Sequence, residues 1–99
     1  MKNQLIPTII QDYKTLEVYM LGYSNTKSLQ KIKDTGFVWF YSRSRNKLWM
    51  KGEESENKLK VIDIFSDCDN DTILIKAKLI GRNVCHTGNK SCFNYKLKI

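Results

Sequence analysis

The chain has no stretch able to cross a membrane as a helix. Its densest apolar run, Phe37 to Tyr41, is far short of the ~20 residues a span requires. Nor does the N-terminus look like a secretory signal: Met1 to Asp12 holds Pro7 and the polar pair Gln11-Asp12 where an apolar run should continue. No repeat, low-complexity tract or Pro/Gly-rich linker divides the sequence, so a single domain over 1–99 is expected, with 1–4 and 94–99 as short terminal extensions. Cysteine is scarce and odd in number, at three, so the thiols cannot all pair within one chain. Together with the missing signal, that points to a reducing, cytoplasmic setting in which free thiols are inert core residues or metal ligands. Carboxylates also run out: residues 72–99 carry six basic side chains and no acid.

What is present is an ordinary globular composition with a basic bias. Seventeen Lys and Arg against ten Asp and Glu give +7 and a pI near 9.4, favouring polyanionic partners such as phosphates, nucleotides or nucleic acid. At 99 residues such a chain buries roughly 65% of its unfolded surface, so its core is modest and a partner subunit would help. Strands are expected over Leu5 to Ile10, with Pro7 confining the first to an edge or a strand start, and over Glu17 to Tyr23. Ser24-Asn25-Thr26 offers helix-capping chemistry, Leu29 and Ile32 a minimal apolar face, and Gly36 a C-cap, which predicts one helix over 26–35. Phe37 to Ser44 and Leu48 to Met50 form a hairpin through Arg45-Asn46-Lys47. Glu53 to Asn57 reads as a loop. Leu59 to Phe65 and Thr72 to Ile80 complete the strands, the latter alternating Ile73, Ile75, Ala77 and Leu79 on one face. The tail from Arg82 is irregular. The class is α+β, mostly antiparallel β with one short helix.

Three segments could carry chemistry. In Asp67-Cys68-Asp69-Asn70-Asp71 the carboxylates share a face if the backbone is extended, with Cys68 opposed. Hard oxygens suit Mg²⁺ and a soft thiolate suits Zn²⁺. An EF-hand is excluded, because Thr72 and Lys78 stand where Gly and Glu are needed; a plain acidic turn is not. Cys85 to Cys92 has no zinc-ribbon spacing, but Cys68 raises the thiol count to the three protein ligands that a catalytic zinc keeps. His86, the only histidine, could move a proton or close a structural site; inert cysteines beside a surface histidine remain the plain alternative. Arg43, Arg45 and Lys47 would share one face of an extended strand, with Lys51 beyond, matching phosphate oxygens or simply facing water. Trp39, Phe40, Tyr41 and Trp49 flank them as core, with stacking on a base as the alternative.

Together these segments resemble phosphoribosyl-AMP cyclohydrolase. The matches are Leu5-Ile6-Pro7 to Gln11-Asp12, Glu17-Val18-Tyr19-Met20-Leu21-Gly22-Tyr23, Thr35-Gly36, Phe40-Tyr41-Ser42-Arg43-Ser44-Arg45, Leu48-Trp49-Met50-Lys51-Gly52-Glu53, Asp67-Cys68-Asp69-Asn70-Asp71, and Cys85-His86-Thr87-Gly88 through Ser91-Cys92-Phe93. They run in family order from Leu5 to Phe93. The resemblance implies hydrolytic opening of the adenine ring of N1-(5-phosphoribosyl)-AMP at the C6–N1 bond, the third step of histidine biosynthesis. It further implies an intertwined homodimer with one zinc per subunit, held by Cys68 of one chain with Cys85 and Cys92 of the other. Mg²⁺ would lie on Asp67, Asp69 and Asp71, and His86 would be the catalytic base. Arg43, Arg45 and Lys51 would meet the substrate phosphates, with neither nucleic acid nor membrane as a partner. The alternatives are a basic nucleic-acid-binding module with a structural zinc, or an inactive relative. Departures from the family are Leu59 in place of a common Gln, Gly-Arg-Asn-Val before Cys85, and Ser55-Glu56-Asn57 in place of Ser-Gly-Asn. The last puts a charged side chain where a glycine suggests positive φ or close approach to a ligand.

Overall fold

A computed structural model describes residues 4–99; of the extension expected over 1–4, all but Gln4 lies outside the described residues. The elements are β1 (Ile6–Asp12), β2 (Val18–Ser24), α1 (Thr26–Thr35), β3 (Trp39–Ser42), β4 (Lys47–Met50), β5 (Lys58–Ser66) and β6 (Ile73–Ile80). Four strands form one sheet in the order β2-β1-β6-β5, and β3-β4 is a separate hairpin. Pairing is antiparallel except between β1 and β6. The class is therefore α+β with mostly antiparallel strands and a single helix. No helix among the described residues is long and apolar enough to cross a membrane.

Pro7 sits at a strand start, though not on an edge. β1 lies between β2 and β6, and its ladder with β6 begins only at Thr8 opposite Ile73, so the missing N–H falls outside that ladder. The helix has the expected caps. Asn25 Oδ1 accepts the Ser28 N–H at 2.8 Å while Ser28 Oγ accepts the Asn25 N–H at 2.8 Å, a reciprocal capping box. Gly36 closes the other end at φ 79°, its N–H donating to the Ile32 carbonyl. Ile32 is buried and Leu29 packs against the same core.

The first hairpin is shorter than its aromatic run suggests. The ladder ends at Ser42 opposite Lys47, and residues 43–46 form a four-residue turn with Asn46 at φ 51°. Arg43 and Arg45 therefore do not share a strand face with Lys47. Turn closure overrides strand propensity there: the Ser42 hydroxyl accepts the Arg45 N–H and Asn46 tolerates the left-handed region.

The core lies between the sheet, the helix and the hairpin, centred on Ile10, Tyr19, Val38, Phe40, Leu59 and Ile75. Ile73, Ile75 and Ala77 are buried on one face of β6, as their alternation requires. Tyr19 carries a phenolic hydroxyl into the core, and it donates to Asp12 Oδ1 at 2.8 Å. The other oxygen of Asp12 accepts the N–H groups of Lys14 and Thr15. Burial opposes ionisation of Asp12, but the Thr15 N–H, the Tyr19 hydroxyl and the Lys14 N–H outweigh it and hold the carboxyl below its ordinary value. Burial, then the neighbouring carboxylate, pushes the Tyr19 phenol up.

Two outcomes follow. Asn25→Ala removes half of the capping box and should cost ~1 kcal/mol in urea unfolding. Asp12→Asn should cost about 1–3 kcal/mol at pH 7. A depressed carboxyl contributes stability above its unfolded pKa and loses it as pH falls through the folded one. The gap between Asp12→Asn and the parent should therefore narrow below the ordinary value of 3.8, in unfolding curves run from pH 7 downwards.

Candidate functional site

Cys85 and Cys92 lie on the irregular segment after β6. The Val84 N–H donates to Lys90 O at 3.1 Å and the Cys85 N–H to Asn89 O at 3.1 Å, closing a tight loop. The loop is fastened to β2: Ser91 Oγ donates to Val18 O at 2.7 Å and the Cys92 N–H to Tyr19 O at 2.8 Å. The Cys85 Sγ lies 3.0 Å from the Thr87 hydroxyl. That hydroxyl and the Thr87 N–H hold the Cys85 thiol below its ordinary value against burial, with Cys92 and the Lys51 ammonium adding to them. Burial, then the adjacent Cys85, pushes the Cys92 thiol up. The loop closed by the Val84 and Cys85 N–H groups brings Cys92 back toward Cys85, and the Lys51 ammonium acts on both thiols. His86 is exposed on the same loop.

Asp67 to Asp71 occupies the turn between β5 and β6, so of the two geometries the sequence left open it adopts the acidic turn and not the extended one. With Ser66 paired to Ile73 the chain must reverse within this segment. It does so with Asn70 at φ 60° and with Asp67 Oδ1 accepting the Asp71 and Thr72 N–H groups at 3.0 and 3.3 Å. The turn still gathers the three carboxylates: one oxygen from each lies within 4.8 Å of the others. A side-chain hydrogen bond with Asp67, then the Asp67 charge, raises the Asp71 carboxyl, while the Asp71 N–H lowers Asp67. Exposed hard oxygens at this spacing, repelling one another, fit a hydrated divalent cation. Cys68 is not opposed to them: its thiol donates to Asp69 Oδ1 at 2.9 Å, which raises it.

Cys68 is therefore distant in topology from the other thiols. It follows β5, at one edge of the sheet, whereas Cys92 is fastened to β2 at the other. Among the described residues, the only group of three acid, thiol or imidazole donors close enough to share an ion is the aspartate triplet. The donor chemistry of Cys85 and Cys92, paired beside a cation, fits two of the soft ligands zinc favours; this chain alone does not bring up the third.

A cleft of about 540 Å³ opens between β2 and the β3-β4 hairpin, with Gly22, Tyr23, Phe40, Arg43 and Trp49 among its walls. The Arg43 guanidinium lies 4.2 Å from the Tyr23 ring centroid, and that of Arg45 lies 5.9 Å from Trp49. Trp49 meets Phe40 at 5.4 Å between centroids. The floor depends on Gly22, where a Cβ would lie 2.6 Å from the Phe40 ring. Sequence reasoning assigned no role to Tyr23 or Gly22. The available signal was a glycine inside a strand, which marks a close approach. A smaller pocket next to the cleft holds Arg45, Lys51 and Gly52.

The loop after Lys51 bears out the departure noted in the sequence. Glu56 adopts φ 64°, the conformation a glycine would take without strain, and its N–H donates to Gly52 O at 2.8 Å. Gly52, at φ 87°, packs on the Asn57 backbone: a Cβ there would fall 2.4 Å from Asn57 O. Asn57 Oδ1 in turn accepts the Arg82 N–H at 3.0 Å, tying this loop to the end of β6. Glu56→Gly should therefore raise stability by about 0.5–1 kcal/mol. Gly52→Ala should lower it by about 2–4 kcal/mol, from backbone strain and overlap together. Thermal or urea unfolding reads both.

Comparison with known proteins identifies the family. The family model described as phosphoribosyl-AMP cyclohydrolase matches residues 20–94. A phosphoribosyl-AMP cyclohydrolase of Pelobacter propionicus is 54% identical over 92 residues, covering 93% of this chain and 74% of the relative. One from Listeria innocua is 57% identical over 89 residues, covering 90% and 84%. A histidine biosynthesis bifunctional protein of Campylobacter jejuni is 55% identical over 91 residues, covering 92% of this chain and 44% of its own length. By the extent of these matches, the chain belongs to the phosphoribosyl-AMP cyclohydrolase family.

Proposed function

We propose that this chain carries out the hydrolysis for which its family is named, opening the adenine ring of N1-(5-phosphoribosyl)-AMP, at a site assembled from two copies. Cys85 and Cys92 of one copy and Cys68 of the partner subunit would hold zinc; Asp67, Asp69 and Asp71 would hold Mg²⁺. The observation that supports this reading is the layout of the thiols. Two meet in one chain beside Lys51, while the third stands on the turn at the far sheet edge.

When bound, zinc supplies Lewis acidity that makes a water nucleophilic near neutral pH. Water oxygen bonds to C6, the C6–N1 bond breaks, and a proton must travel from that water to N1. His86, next to Cys85, is the imidazole that relays it. Arg43 and Arg45, held over aromatic rings at the cleft, and Lys51 beyond them meet the phosphate oxygens. Tyr23 is a positioning residue: its ring holds the Arg43 guanidinium against the cleft wall, so the charge waits where phosphate arrives.

Elemental analysis with native mass measurement tests the assembly. One zinc per chain in a dimer is expected, and Cys92→Ser should lose zinc and ring-opening activity together; full activity with zinc retained sinks the ligand assignment. Steady-state kinetics test the cleft. Tyr23→Leu should raise KM about 10-fold with little change in kcat, and Tyr23→Phe, which keeps the ring, should restore it.

A further inference from the structure

The C-terminal tail and the outer half of β5 are each unpartnered in one chain, and their patterns match. From Phe93 to Ile99 the tail alternates Phe93, Tyr95, Leu97 and Ile99 with Asn94, Lys96 and Lys98, the period of a half-buried strand. Yet these apolar side chains are 63%, 76%, 78% and 117% exposed. On β5, the segment 36–38 covers the outer edge only as far as Val61. Beyond it Ile62, Ile64 and Phe65 are all exposed, on both faces of the strand. Beside them runs an apolar groove of about 580 Å³, walled by Leu29, Ile32, Val61, Ile64, Phe65 and Ile73, with Lys33 its one charged lining residue.

We propose that the tail of one copy, Phe93 to Ile99, pairs antiparallel along the outer half of β5 of a second copy and lays its apolar face in that groove. Charge favours the match. Residues 61–71 hold four aspartates and no Lys or Arg, whereas 93–99 hold two lysines and no acid. Reach favours it too. The inference rests on the shared-zinc reading, which puts Cys92 beside Cys68 of the partner subunit; a chain leaving Cys92 would then run back along the partner's β5. Seven extended residues span about 23 Å, enough to run from position 67 back to position 61, about 20 Å along a strand. The chain's own β5 is a poorer target. Its Cys92 is fastened to β2, and crossing three strand spacings uses roughly 14 Å of the tail before any pairing begins.

The test compares the zinc-loaded full chain with a chain ending at Asn94 and with the single variant Leu97→Asp. Sedimentation reads assembly, and hydrogen exchange reads the Ile62 to Ser66 amides. The removed residues are exposed, so the shortened chain should keep its far-UV circular dichroism. The dimer dissociation constant should rise by about 100-fold for the shortened chain and move the same way for Leu97→Asp. Protection of the Ile62 to Ser66 amides should appear only in the full-length dimer. If both variants dimerise as tightly as the parent with unchanged exchange, the tail inference is overturned and the shared zinc stands. Protection that persists at dilutions where the parent is monomeric overturns it in favour of the chain's own tail. A full chain that stays monomeric when zinc-loaded overturns both.

Discussion

One residue, Tyr19, joins the thiol loop to the sheet. Its carbonyl receives the Cys92 N–H and its hydroxyl donates to the Asp12 carboxylate, each at 2.8 Å. The side chain is buried in the core while the backbone faces the irregular segment, so packing and site geometry meet at a single position. Segment 82–99 has no helix or strand of its own. Its order near the thiols comes from this anchor, from the adjacent Ser91 hydroxyl on Val18 O, and from burial of Val84. A loop held this way keeps two sulfurs together without any disulfide.

The same sheet separates its functional parts by strand order. The thiol pair hangs from β2, the acidic turn follows β5, and the arginine-bearing cleft opens between β2 and the β3-β4 hairpin. The aspartate triplet and the cleft guanidinium groups are thereby kept apart within one chain. Segregation of this kind costs a small domain some self-attraction, but it leaves each edge complementary to something else.

Local chemistry was legible in the sequence where local chemistry decides. Asn25, Ser28 and Gly36 announced both ends of the helix, because caps are satisfied within a few residues. Glu56, standing where the family has glycine, announced its positive φ for the same reason. The strand expected through Ser44 stops at Ser42, and of the two geometries open to 67–71 the turn is the one adopted, because alternation says nothing about where a ladder must close. In both places the chain reverses, so side chains that would have shared a face are set by turn geometry instead; only the aspartates end up together. Tyr23 escaped notice because its partner Arg43 is twenty positions on, and the contact exists only once β2 lies beside the hairpin. The thiols divide similarly: the Cys85–Cys92 neighbourhood follows from one short loop, whereas Cys68 depends on which edge β5 occupies.

The Gly22 contact with Phe40 has a consequence for how this cleft can vary. The Phe40 ring lies where a methyl group on Gly22 would have to be, so the floor of the cleft is set by an absent side chain. Any replacement at that position would displace the phenyl group, which meets Trp49, the platform under Arg45. The hollow is thus encoded in the main chain, and mutational drift there would remodel the shape of the chamber while every reactive group stayed in place.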